Sequence, residues 1–154
     1  MGMPTAGEAH KRLEKLIGEW NGEEVMEPSQ WDPKGGTAIG RITNRAALDG
    51  FNVIQDYQQE RDGQVTFRGH GVFGWDMATQ DYVLHWFDSM GMSPNEFRGR
   101  FEGDVLTMTS RSAMGHSRTV TDLGQDGTYS FKMEMSPDGN QWHALMKGTY
   151  VRAG

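Results

Sequence analysis

The stretch from Gln64 to Ser89, QVTFRGHGVFGWDMATQDYVLHWFDS, alternates apolar and polar residues in two runs joined by a short polar segment. A period of two places Val65, Phe67, Gly69, Gly71, Phe73 and Trp75 on one face of a first strand. It places Tyr82, Leu84, Trp86 and Asp88 on one face of a second. With Met77 to Gln80 as the turn, Trp75 faces Tyr82, Phe73 faces Leu84, and Gly71 leaves room for the Trp86 indole. A chain built around such a hairpin has aromatic edges to hide, and the rest of the sequence repeats the unit.

Upstream, Gly7 to Ile17 carries an apolar stripe of Ala9, Leu13, Leu16 and Ile17 at helical spacing, and Gly18 ends it. Trp20 to Met26 reads as a strand, and Glu27 to Gly36 as a loop carrying Trp31, a tryptophan placed to lid or pack over one end. From Thr37 the pattern is strand, tight turn, strand, with Asp-Gly pairs at 49–50, 62–63, 126–127 and 138–139. The count is about ten short antiparallel strands. Closing the meander removes its two edges, so the expected fold is all-β: a single antiparallel up-and-down barrel over about residues 19–152 with a short helix at about 7–17. The 154 residues fit one domain, 1–154.

Two-residue turns at Asp126-Gly127 and Asp138-Gly139 predict an inner face carrying Trp142, Ala144, Met146, Met135, Met133, Phe131 and Tyr129, together with Arg118, Val120 and Asp122. His143 then points outward. The same rule sets Leu48, Ala46 and Asn44 beside Phe51, Val53 and Gln55. At Gly103 the register stays open: either Val105, Thr107 and Thr109 or Leu106 and Met108 look inward.

Chemistry is constrained mainly by exclusion. Zero cysteines remove disulfides, thiolate catalysis and Cys-ligated zinc. A net charge of -6 opposes polyanion binding, so no nucleic-acid partner is expected. No apolar run approaches spanning length and no apolar leader opens the chain, which predicts a cytoplasmic protein without a membrane partner. The GHGVFG run at 69–74 matches a dinucleotide fingerprint in letters only, because strand residues continue on both sides. No cofactor, metal or catalytic set is expected, since the histidines lack converging partners and no nucleophile elbow occurs.

Gly18-Glu19-Trp20 after a short helix resembles the Gly-x-Trp signature of lipocalins and the wider calycin superfamily, in which the tryptophan plugs the closed end under an arginine; Arg152 fits that part. GEWNGE, ALDGFNVIQDY, FRGHGVFGWD, YVLHWFDSMG, SPDGNQW and the closing TYVR resemble the bacterial domain-of-unknown-function 1579 family, a calycin-like barrel akin to fatty-acid-binding and nitrobindin-like proteins. The resemblance covers nearly the whole chain. It implies an interior cavity for a small hydrophobic molecule, or for haem in the nitrobindin-like branch, whose ligand lies near His143.

The expected function is therefore non-enzymatic binding of a small apolar molecule with one acidic or polar group. The contact residues are Trp86, Phe73, Phe131, Met133, Trp142, Tyr57 and Asp88, with Arg118 as the orienting cation. Arg118 either meets a carboxylate of the protein or waits for one from the ligand. Three alternatives stand: a haem or nitric-oxide barrel, a small isomerase or cyclase using Asp88 or Asp122, and a filled barrel acting through its surface or as a homodimer.

Overall fold

Each strand needs a neighbour on both sides, and the chain supplies one by closing on itself. The computed structural model describes residues 2–30, 32–92 and 94–153, so the Trp31 lid lies outside the described residues. Helix α1 (Glu8–Arg12) passes into a tight 3-10 turn at Leu13–Leu16. In a 3-10 turn residues three apart eclipse, which drops Leu13 and Leu16 together onto the barrel end, each 1% exposed. Ten strands follow: β1 (Gly18–Met26), β2 (Gly36–Ala47), β3 (Asn52–Arg61), β4 (Gln64–Asp76), β5 (Asp81–Asp88), β6 (Asn95–Glu102), β7 (Val105–Ser112), β8 (Gly115–Asp122), β9 (Thr128–Ser136) and β10 (His143–Arg152). Sequential neighbours pair antiparallel, and β1 pairs with β10 to close the barrel. No helix among the described residues is long and apolar enough to cross a membrane.

The β4–β5 register is the expected one, Trp75 to Tyr82, Phe73 to Leu84 and Gly71 to Trp86. Ala46 and Asn44 face Val53 and Gln55. Leu48 instead sits in the connecting turn with φ 52°, 72% exposed. Around Gly103, Leu106 and Met108 are the inward pair, both 1% exposed.

Two expectations on the far side of the barrel are corrected. The Asp126-Gly127 turn is not a two-residue hairpin: Thr128 N donates to Gln125 O, Gly127 takes the left-handed φ of 75°, and Thr121 pairs with Phe131. That is the longer loop in which the glycine forms a bulge, and it shifts the register by one. A shift of one turns Arg118, Val120 and Asp122 outward and Thr119 and Thr121 inward, both of them buried. In β10 a bulge between Ala144 and Met146 reverses the faces before it. Trp142 therefore lies outside the barrel, and His143 shares the Met135 row at the rim.

Candidate functional site

A tryptophan plug stands at the helix end of the interior. Trp20 Nε1 donates to Leu16 O at 2.9 Å, Asn44 Nδ2 donates to the same oxygen at 2.9 Å, and the Arg152 guanidinium lies 4.4 Å over the Trp20 ring. Arg152 also donates to Ile17 O at 3.0 Å. The arginine-covered tryptophan expected from Gly18-Glu19-Trp20 is thus present.

The opposite end differs. Phe67, Trp86, Phe131, Met133 and Met146 continue the inward rows toward the mouth, yet all five keep partial exposure. Glycine makes room for the Trp86 indole on one wall: a Cβ at Gly69 would stand 2.2 Å from its ring, and one at Gly71 would meet it at 3.2 Å. Trp86 Nε1 donates to Asp88 Oδ2 at 2.9 Å, fixing both at the rim. Tyr57 lies beneath, its ring 6.4 Å from Trp86 and 6.0 Å from Phe67.

Beneath these side chains sits a polar cluster that the sequence reading did not single out. Glu24 is 0% exposed. Tyr57 Oη lies 2.7 Å from both its oxygens, Tyr150 Oη donates to Oε2 at 2.5 Å, and Gln59 Nε2 donates to Oε1 at 2.9 Å. Burial, then the adjacent Glu24 charge, pushes the Tyr57 and Tyr150 phenols far above their ordinary value, so both stay donors. The Gln59 amide also touches Met26 and Met146 sulfurs at 3.7 Å each. Three glycines make room for the Glu24 and Tyr150 side chains: a Cβ on Gly40 would lie 2.4 Å from Glu24 Oε2, one on Gly148 2.4 Å from Tyr150 Oη, and one on Gly22 2.7 Å from the Tyr150 ring. Continuing the alternation from Trp20 through Gly22 to Glu24 was the available signal.

The expected contact residues divide accordingly. Trp86, Asp88, Phe131 and Met133 lie on the inward rows at the end away from the helix, with Tyr57 beneath them, and Phe73 is deeper, in the closed core against Val53 and Leu84. Arg118 and Trp142 do not join them. On the outer face Arg118 Nε donates to Glu134 Oε1 at 2.9 Å, and its guanidinium lies 4.2 Å over the Trp142 ring. Asp122 is exposed and accepts from Gly124 N, leaving no pair with Asp88 inside. Among the described residues no group of three or more His, Cys, Asp or Glu side chains could hold a metal ion.

Comparison with known proteins agrees with this architecture. A family described as "Protein of unknown function (DUF1579)" matches residues 5–152. A structure titled "Crystal Structure of Rv2717c from M. tuberculosis" superposes with a TM-score of 0.70 at 14% identity, covering 98% of this chain and 100% of that one. At that identity the likeness speaks for the fold alone. No curated protein matches.

Proposed function

We propose that this chain, which belongs to the DUF1579 family of proteins of unknown function, is a binding barrel that admits a small apolar molecule through the mouth opposite its N-terminal helix. One observation carries the reading. Leu13, Leu16 and Trp20 plug the helix end at 2% exposure or less, whereas Phe67, Trp86, Phe131, Met133 and Met146 remain partly exposed at the other. Concave apolar surface with a few convergent polar groups is what small-ligand sites are made of. Trp86 and Phe131 supply flat contact area, and the methionines supply adaptable contact. Arg118 takes no part, because its guanidinium is spent on Glu134 and Trp142 outside.

The test is to plug the chamber. Met133→Trp is expected to abolish one-to-one binding of a hydrophobic fluorescent dye, while Val120→Trp on the outer face leaves it unchanged. Dye binding that survives Met133→Trp with a normal thermal melt rejects the chamber.

One observation favours a second reading. The β10 bulge brings His143 to the Met135 row, so an imidazole stands at the rim that would hold the iron of a bound haem, the group that would supply the iron chemistry. A Soret band in protein reconstituted with haem, lost in His143→Ala, supports it; no band rejects it.

A further inference from the structure

The chamber has an electrostatic sign, and this fixes the chemistry of what it holds. A carboxylate buried without a cation is costly, and hydrogen bonds from neutral donors compensate only part of that cost. Glu24 is such a group: among the described residues its partners are two phenols and one amide, with no ion pair. Asp88 adds a second acid at the rim. On the inward rows the arginines stand only at the extremities. Arg61 is engaged by Asp32 at 2.5 Å, and Arg152 belongs to the Trp20 plug. Between them the inward rows of the described residues offer a ligand acids and neutral groups, and no lysine or arginine.

The Gln59 side chain marks the place where a ligand's polar group belongs. Its amide nitrogen is an N–H donor set among Glu24 Oε1 at 2.9 Å, Tyr57 Oη at 3.0 Å and two thioether sulfurs at 3.7 Å. An ammonium has the same donor chemistry plus the missing charge. Its adjacent methylenes suit the methionine sulfurs and the Tyr57 ring, and the displaced glutamine can turn its carbonyl oxygen toward it.

Resting on the binding reading above, we infer that the natural ligand is a hydrophobic amine, bound as the cation with its nitrogen against Glu24 and Tyr57 and its apolar body between Trp86 and Phe131. Of the acidic or polar group expected from the sequence this drops the acid, and the reason is the register shift that put Arg118 outside.

The experiment compares decylammonium, decan-1-ol and decanoate, one chain with three head groups, by tryptophan fluorescence and calorimetry at neutral pH. The amine is expected to bind at least roughly tenfold more tightly than the alcohol, the size of one charge-assisted hydrogen bond, with decanoate weakest. Gln59→Ala, which removes the competing donor, is expected to tighten the amine severalfold and leave the alcohol unchanged. Glu24→Gln is expected to erase the amine's advantage. Should Glu24→Gln fail to fold, the matched ligands and Gln59→Ala decide. Decanol or decanoate binding as tightly as the amine overturns the inference and leaves the binding chamber standing. Gln59→Ala weakening all three ligands alike overturns the seating of the nitrogen. Binding by none of the three removes the open-barrel reading itself.

Discussion

Tyr150 Oη and Glu24 Oε2, 126 residues apart in the chain, meet at 2.5 Å inside the barrel. The contact ties the first strand to the last at the seam where the sheet closes, and it does so with a donor that cannot ionise at ordinary pH. Removing it leaves a fully buried carboxylate with one donor fewer. Tyr150→Phe is therefore expected to cost about 1–3 kcal/mol, the penalty for leaving a buried polar group underpartnered. Urea denaturation checks this, and in a Glu24→Gln background the cost is expected to shrink, since the two residues act as one unit.

The tyrosines also set an alkaline limit. All four tyrosines of the chain are shifted upward, Tyr57, Tyr129 and Tyr150 strongly and Tyr82 less so, in each case chiefly because burial disfavours the phenolate. A folded-state value above the unfolded one means the stabilisation is complete below the ordinary value of 10.0 and is lost as the pH rises beyond it. The phenolate absorbance of Tyr57, Tyr129 and Tyr150 is expected to stay absent in the native protein above that pH and to appear in a single cooperative step coincident with unfolding. Gradual titration of even two tyrosines without loss of the circular dichroism signal contradicts this.

Gly40 tests the steric side of the same cluster. A methyl group there would stand 2.4 Å from Glu24 Oε2 and 2.9 Å from the Tyr150 ring, too close for either to remain. Gly40→Ala is expected to destabilise the fold by about 1–3 kcal/mol through overpacking. Equilibrium denaturation should show the loss reduced when Glu24 is also replaced by alanine.

How much of this was legible depends on which turn one asks about. The β4–β5 register follows from the sequence because the apolar alternation on both sides of Met77–Gln80 permits one pairing only, and Gly71 opposite Trp86 agrees with it. The plug was legible too, as a tryptophan after a helix and an arginine at the end of the last strand. Asp126-Gly127 was not, because one dipeptide serves hairpins of two or three residues, and the choice between them moves every β8 side chain to the other face. The Leu145 bulge has no glycine or proline to announce it, and it reverses Trp142 and His143. Glu24 escaped because a glutamate beside Glu23 reads as a solvent residue. Only its place in the Trp20–Gly22 row distinguishes it.

Arg118 gives the sharpest check on that register. Its guanidinium bridges Glu134 and Trp142 on the outer face, so Arg118→Met is expected to leave ligand affinity unchanged and to cost about 1 kcal/mol in stability. Burial raises the Glu134 carboxyl, but Arg118 and Lys132 outweigh it and hold the group below its ordinary 4.5. A depressed folded-state value stabilises above the ordinary one and is lost as the pH falls through the lower one. The ion-pair share of the difference between parent and variant should accordingly be present at neutral pH and fade below 4.5. A loss of ligand binding in this variant would return Arg118 to the interior.

The plug and the chamber occupy opposite ends of one closed sheet, which makes their contributions separable. Arg152 stacks on Trp20 and donates to Ile17 O, and Gly18, at φ 142°, leaves room for the guanidinium, whose nitrogen would lie 2.4 Å from a Cβ there. A lysine keeps the charge but not the planar stacking face, so Arg152→Lys is expected to lose most of what Arg152→Ala loses. Gly18→Ala should cost more than either, since it combines the clash with a backbone angle that L side chains rarely adopt. Neither Gly18 nor Arg152 touches Glu24, Tyr57 or Gln59, and sites out of contact with one another add. Thermal melts should fall for all three while the order of affinity among matched decyl ligands stays as in the parent. A plug variant that changed that order would mean that the two ends communicate through the sheet.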